Sequence, residues 1–458
     1  DSSYCESTRP VALTDEENKD YRFKDSLRKI TETKVYKDSV DKKRNRFKIG
    51  QFILNGYSYT NTFDKYSLNF GLGIFGVNYN LVEGWSLSPS VNYFKYFDNY
   101  KSYSLGGSIN YGFGNKQIYG TAWANYYYNP VHFSGVTFYA GKTTEQFNPG
   151  AILPLVNSVY TLFEERNYIK LYENQFAALH YRTELCNGIY FNVGASFNDR
   201  LPLVNTQTWT IKKFSNRQFE TNNPQYPDSS GYSFKRNQAV IADFRLSFRI
   251  KQRYYTRPNQ KVVLGSKYPE FRIEYKKGMD DVNYDLIKAG ISKEINFKIL
   301  GVFKFDVSCG TFLNKKNLYF MDYYQIYGNQ TIFLNGANKS NLESIEIGGT
   351  GRTSLMGFNL LPYYKFSTTS NFVQAHAEYH FKGWIINKFP LLRKTRFQEV
   401  AGFHYLSTKE INQYVELSVG IEKIGIPGVI PGFLWVDFIT AFNSSTKITN
   451  GFRIGLGL

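Results

Sequence analysis

No stretch of this chain is apolar enough to cross a membrane as a helix, which takes about 20 consecutive apolar residues. The nearest candidate, residues 425–442, is interrupted by Pro427, Pro431 and Asp437. Cysteine is scarce. Cys5, Cys186 and Cys309 stand far apart with no CxxC pair, which argues against a zinc site or a disulfide framework. Histidine is scarce too: five in 458 residues, with no GxSxG, leave little material for a Ser/His/Asp or Cys/His arrangement. No enzymatic activity and no cofactor are expected. The chain starts at Asp1 rather than Met, so it reads as a mature form or a fragment, and the lack of a leader is no evidence for the cytoplasm.

What the chain does have is aromatic side chains, 38 Tyr and 39 Phe, together with 37 Gly, while hydrophobic residues total only 42%. So aromatic and yet so polar a chain suits strands with one apolar and one wet face. Period-2 alternation runs from about Phe52 onward. Val240, Ala242, Phe244, Leu246, Phe248 and Ile250 oppose Asp243, Arg245, Ser247, Arg249 and Lys251. Val373, Ala375, Ala377, Tyr379 and Phe381 oppose Gln374, His376, Glu378, His380 and Lys382, and Val415, Leu417, Val419 and Ile421 oppose Tyr414, Glu416, Ser418 and Glu422. Such runs have the ~9–11 residues that a tilted strand needs to cross hydrocarbon. The expected fold is an all-β, transmembrane antiparallel β-barrel of about 16 strands, within a range of about 14–18. Trp85, Tyr96, Phe97, Tyr126, Tyr127, Tyr128 and Trp435 are read as aromatic girdles, and Cys309 as an apolar side chain on the outer face. At the end of the chain Phe452, Ile454, Leu456 and Leu458 face out and Arg453 faces in, as a strand closing against the first would.

The organisation expected is an N-terminal part, residues 1–48, and a barrel, residues 49–458. Thr14 and Glu17 have capping-box spacing, so a helix is expected from Thr14 to about Thr33, followed by a basic linker or arm over 34–48. Long loops fall near 141–167, 215–233 and 314–370, as external loops or lumenal plug. The formal net charge is +17. Because the aromatics sit at strand period and form no nucleic-acid module, the excess is assigned to phosphorylated lipid head groups of the lipopolysaccharide type, with no nucleic-acid partner.

Two constellations invite chemistry. His376, Glu378 and His380 share one side of a strand and could converge on a metal; a polar lumen wall needs the same residue types. Gly348-Gly349-Thr350-Gly351-Arg352 has the look of a phosphate cradle, but it lacks the GK[ST] ending and suits a plug loop better. Trp384 to Lys394, apolar with basic residues, fits either a membrane interface or a packed turn.

The segments Phe358-Asn359-Leu360-Leu361-Pro362-Tyr363-Tyr364-Lys365-Phe366-Ser367-Thr368, Ala377 to Gly383 and Asn387 to Lys394 resemble Bacteroidota outer-membrane proteins of unknown function, in which a carboxypeptidase-regulatory-like domain precedes a large barrel. Arg9-Pro10, Leu13-Thr14, Glu17 and Asp25-Ser26-Leu27 are similar to the segment leading into that barrel, and Val82-Glu83-Gly84-Trp85 to its first strands. The barrel is in turn similar to the superfamily of outer-membrane assembly factors and two-partner secretion translocators. There a plug loop carries an Arg-Gly-aromatic motif. Here Arg352 is followed by Gly357-Phe358 only five residues on, so no gating role passes to Arg352. The resemblance implies the outer membrane of a Gram-negative bacterium. It also implies a part in assembly, export or translocation of outer-membrane or surface proteins, lipoproteins included, within a complex of outer-membrane or periplasmic proteins. The residues leave two alternatives open: a passive pore, whose lumenal Arg245, Arg249 and Lys251 would favour anions, and a structural barrel anchoring a surface complex.

Overall fold

The computed structural model describes residues 14–72, 76–149, 151–229, 231–329, 331–335, 357–395, 397–425, 433–443 and 448–457. Among the described residues three helices come first: α1 (Asp15–Thr31), α2 (Lys34–Arg44) and α3 (Ile49–Asn55). Thr14 and Glu17 cap α1 reciprocally, and its acidic first turn and basic last turn complement the helix dipole. The stretch read from sequence as a basic linker is the helix α2, capped by Thr33. Asp41 fixes α2 to the sheet by accepting from the Thr62 backbone N–H at 2.6 Å and from its hydroxyl at 2.7 Å.

Strands then follow almost without interruption: β1 (Tyr57–Asn61), β2 (Tyr66–Gly71), β3 (Val77–Asn80), β4 (Gly84–Leu87), β5 (Ser90–Tyr96), β6 (Ser102–Gly112), β7 (Gln117–Asn129) and β8 (Ser134–Gln146). After helix α4 (Pro154–Glu164) come β9 (Leu171–Cys186), β10 (Ile189–Pro202), β11 (Asn237–Arg249), β12 (Arg253–Arg257), β13 (Gln260–Gly265), β14 (Glu270–Asp280), β15 (Asn283–Asn296) and β16 (Val302–Asn317). The last are β17 (Phe333–Asn335), β18 (Phe372–His380), β19 (Gln398–Thr408), β20 (Tyr414–Ile424), β21 (Phe433–Asn443) and β22 (Thr449–Gly457). All but the β12–β13 hairpin belong to one sheet of 20 strands. β2–β3 and β4–β5 each read as one interrupted strand, and β17 is a short parallel addition. Among the described residues the twenty thus reduce to seventeen antiparallel strands, inside the expected range.

The sheet has the polarity of a membrane wall. In β20 every second residue is buried (Tyr414, Glu416, Ser418, Gly420, Glu422), while Leu417, Val419 and Ile421 are exposed. β18 likewise buries Gln374, His376, Glu378 and His380 and exposes Val373. Carboxylates and imidazoles inside, aliphatic side chains outside, is the reverse of a soluble core. It is stable only when hydrocarbon bathes the outer face. No helix among the described residues is long and apolar enough to cross a membrane; the crossings are made by strands. Cys309 is exposed on the outer face, as are Trp85, Phe97 and Tyr126 of the expected girdles, whereas Tyr96 and Tyr127 lie opposite Ser102 and take the inner-face parity. Trp435 is a correction. It shares parity with Asp437 and faces inward, its indole lying over Gly455, where a Cβ would clash.

The sheet wraps around an internal layer. The connections β8–β9, β10–β11 and β16–β18 leave the same end of the sheet, because an even number of crossings separates them. Their residues fold back against the inner wall. Arg200 on β10 holds Asp322, and Glu416 on β20 holds Asn359 and Leu360. The two held segments are one packed unit: the Phe358 N–H donates to the Tyr327 carbonyl at 2.8 Å, and Tyr324 bridges Thr368. Strands far apart in the sheet therefore meet one object. The β3–β4 turn joins this interior. Asn80 accepts from the Val82 and Glu83 N–H groups at 2.9 and 2.8 Å, and Leu81 and Val82 are buried. Gly84 there has φ +68°, and a Cβ on it would stand 2.9 Å from the Gly114 nitrogen.

The final strand differs from expectation. β22 pairs antiparallel with β21, and its other edge carries β17 in parallel, Phe333 opposite Gly455 through Asn335 opposite Gly457. No β1–β22 pairing occurs among the described residues; β17 takes the backbone positions such a pairing would use.

Candidate functional site

The densest polar cluster in the interior lies where residues 357–361 meet β18, β19, β20 and β22. Glu416 is completely buried. Its carboxylate accepts from the Asn359 N–H at 2.7 Å, the Leu360 N–H at 2.8 Å and the Tyr414 hydroxyl at 2.7 Å. A buried carboxylate with three donors is satisfied, and it holds backbone rather than a cation. Opposite, Arg453 donates to the carbonyls of Asn359 and of Asn329, the latter at 3.0 Å. One side chain thus grips the segment by its N–H groups and another by its carbonyls. Between them Phe358 packs on His376, with ring centroids 4.8 Å apart, and edge-on to Tyr414 at 5.7 Å. Ile326, Leu361, Leu406 and Ile411 complete an apolar cluster around it.

The three candidate metal ligands are not brought to one point. His376 Nδ1 lies 2.9 Å from His404 Nδ1, beneath Phe358. His380 lies 3.1 Å from a Glu422 oxygen and 3.4 Å from Glu378. Along a strand, i and i+4 are ~13 Å apart, so His376 and His380 serve separate contacts. No group of three metal-capable residues stands together among the described residues.

Two of the three candidate lumenal cations are paired with carboxylates. Arg245 lies 3.1 Å from Glu274, which Lys288 also meets at 2.8 Å. Arg249 pairs with Glu270 at 2.6 Å and stacks over Tyr190. Lys251 sits at the strand end, 5.6 Å from the Tyr268 ring. Glu270 offsets Arg249 across the ladder, while the single carboxylate of Glu274 is shared by Arg245 and Lys288. Arg352 and Leu458 lie outside the described residues, and only the backbone of Leu456 is described. Phe452 and Ile454 face outward and Arg453 inward. Sequence reasoning placed Glu416 on the inner face but gave it no role. Its signal was an acid with Tyr414 beside it on the same face, which alternation alone cannot distinguish from ordinary wall.

The architecture defines a class, the transmembrane β-barrel with an occupied interior. Within it, the chain belongs to the family of unknown function DUF5686, whose C-terminal domain matches residues 50–421. No curated protein matches the chain. Among solved structures it is similar to BamA from Haemophilus ducreyi lacking POTRA domains 1–3, at 12% identity and TM-score 0.41, over 85% of this chain and 70% of that one. It is also similar to CdiB from Acinetobacter baumannii, at 12% identity and TM-score 0.37, over 84% of this chain and 59% of that one. A third likeness is to Pseudomonas aeruginosa OpdQ, at 12% identity and TM-score 0.29, over 80% and 87%.

Proposed function

We propose that this barrel lies in the outer membrane of a Gram-negative, Bacteroidota-type cell and takes part in assembling or exporting outer-membrane or surface proteins, lipoproteins included. It acts without covalent chemistry, in a complex with other outer-membrane or periplasmic proteins and against lipopolysaccharide-type lipid. One observation carries the reading: the outer edge of β22 accepts an added strand, β17, through backbone pairing at Gly455–Gly457. β17 covers only residues 455–457, and among the described residues no strand pairs with residues 449–454 on that edge, so their backbone N–H and C=O groups could receive a polypeptide by β-augmentation. The internal layer gripped by Glu416 and Arg453 supports the same reading, since it fills the end of the lumen from which the long connections emerge. Depletion of the protein should lower the levels of surface-exposed proteins; unchanged levels would sink the proposal.

A second reading, a passive pore, is favoured by the charged inner wall around Arg245, Glu274, Lys288 and Arg272. Planar-bilayer recording separates the two. Steady conductance of the unmodified protein supports the pore, and a largely silent protein supports the occupied barrel.

A further inference from the structure

The three long connections enclose a cavity of about 790 Å³ at their end of the barrel. That is within the range of sites that bury small ligands, roughly 300–1,000 Å³. Its walls are tied together before any ligand arrives. Lys170 Nζ donates to the Thr221 carbonyl at 2.6 Å and meets Glu220 at 3.1 Å. The Tyr364 hydroxyl accepts from the Lys170 N–H at 3.1 Å and donates to the Tyr168 carbonyl at 3.0 Å. Asn222 accepts from the Leu171 N–H and donates to the carbonyls of Leu171 and Leu203. The first, second and third long connections are therefore joined by buried and half-buried polar contacts, and the cavity is pre-organised.

Besides the carboxylates of Glu165 and Glu220, three kinds of group line it. Tyr168, Tyr226, Tyr323 and Tyr364 supply aromatic rings. Asn216, Gln218 and Gln225 supply exposed amides whose side chains make no hydrogen bond among the described residues. Of the cations, Lys170 is matched by Glu220, and Arg217 by Glu164 at 2.8 Å. Arg166 donates only to the Tyr168 hydroxyl, and Lys365 is exposed beside the Phe366 ring; neither is in a salt bridge among the described residues.

We propose that this cavity binds an anionic oligosaccharide. The C–H face of a sugar ring stacks on tyrosine, hydroxyl groups pair with amides, and a carboxylate or sulfate substituent meets Arg166 and Lys365. A purely apolar ligand would leave the amides and cations unmatched, and an acidic peptide lacks the flat face that the tyrosines fit. The inference goes beyond the strand-handling reading and stands without it. The test uses the full chain in nanodiscs, with saturation-transfer NMR and titration calorimetry on tetragalacturonate, neutral maltotetraose and tetraglutamate. Tetragalacturonate is expected to bind, maltotetraose at least about tenfold more weakly, and tetraglutamate not to compete. Tyr226→Ala and Lys365→Ala, both at exposed positions outside the strand ladder, should each weaken tetragalacturonate about tenfold, while Lys251→Ala at the opposite end leaves it unchanged. Absence of binding, equal competition by tetraglutamate, or indifference to both lining variants would overturn the proposal.

Discussion

Replacing Glu416 with alanine should release the internal segment without unfolding the barrel. The substitution removes one carboxylate that accepts three hydrogen bonds and leaves the Asn359 and Leu360 N–H groups without their acceptor. Hydrogen bonds to a charged group contribute roughly 1.5–3 kcal/mol each. Against that, the variant no longer buries a carboxylate, which returns several kcal/mol of desolvation. The net destabilisation of the docked segment is about 3 kcal/mol, or about a hundredfold in its opening equilibrium. Tyr414→Phe removes one of the three bonds and should cost about 1 kcal/mol. The assay is amide hydrogen exchange of residues 357–364 in nanodiscs, with heat-modifiable gel migration reporting an intact barrel. Local opening of a segment held by few contacts is what such exchange detects. If Glu416→Ala protein stays folded and those amides keep wild-type protection within about threefold, the clamp does not hold the segment.

The other expectations are simpler. Val419, at the middle of β20 and 65% exposed on the outer face, should tolerate arginine poorly. A cost of about 2–4 kcal/mol in urea titrations of folding into vesicles is expected at the midplane, and a neutral result would place that face away from lipid. Asp322→Ala strands the buried Arg200 guanidinium, whose Nη1 sits 2.9 Å from both carboxylate oxygens. A loss of about 3–5 kcal/mol is expected, read as faster exchange over residues 318–332. Cys309 should react with a lipid-soluble maleimide and resist a charged one, because its thiol is on the outer face. Burial pushes the Lys170 ammonium below its ordinary value despite Glu220 nearby. Between that lowered value and about 10.5, the unfolded chain holds more protons than the folded one. Stability therefore rises with pH across the window, and Lys170→Met should flatten that slope in pH-dependent unfolding.

Much of the wall was legible because alternation is a local property. The residues Val373 to Phe381 and Val415 to Ile421 declare their two faces through a repeat of two. What failed were features that depend on where a strand sits relative to its neighbours. Trp435 has an aromatic composition suited to an interface, but the parity it shares with Asp437 turns it inward over Gly455. His376, Glu378 and His380 do share a face, as spacing requires. Their partners, His404 and Glu422, come from β19 and β20, and only the register of three strands reveals them. Alternation places Arg245 and Arg249 on the lumenal face, but only the pairing of β11 with β14 sets Glu274 and Glu270 against them.

The sequence by itself determined that this chain crosses a membrane with strands, since aromatic and glycine-rich alternation without a long apolar run admits little else. It also determined the helix cap at Thr14 and Glu17, which joins residues only three positions apart. The tertiary structure decided what occupies the interior. The grip of Glu416 and Arg453 on residues 359 and 360, the Arg200–Asp322 pair and the cavity behind Tyr364 all join residues more than fifty positions apart. Such contacts depend on how a wrapped sheet brings its distant strands and connections to one place, and no local pattern encodes that.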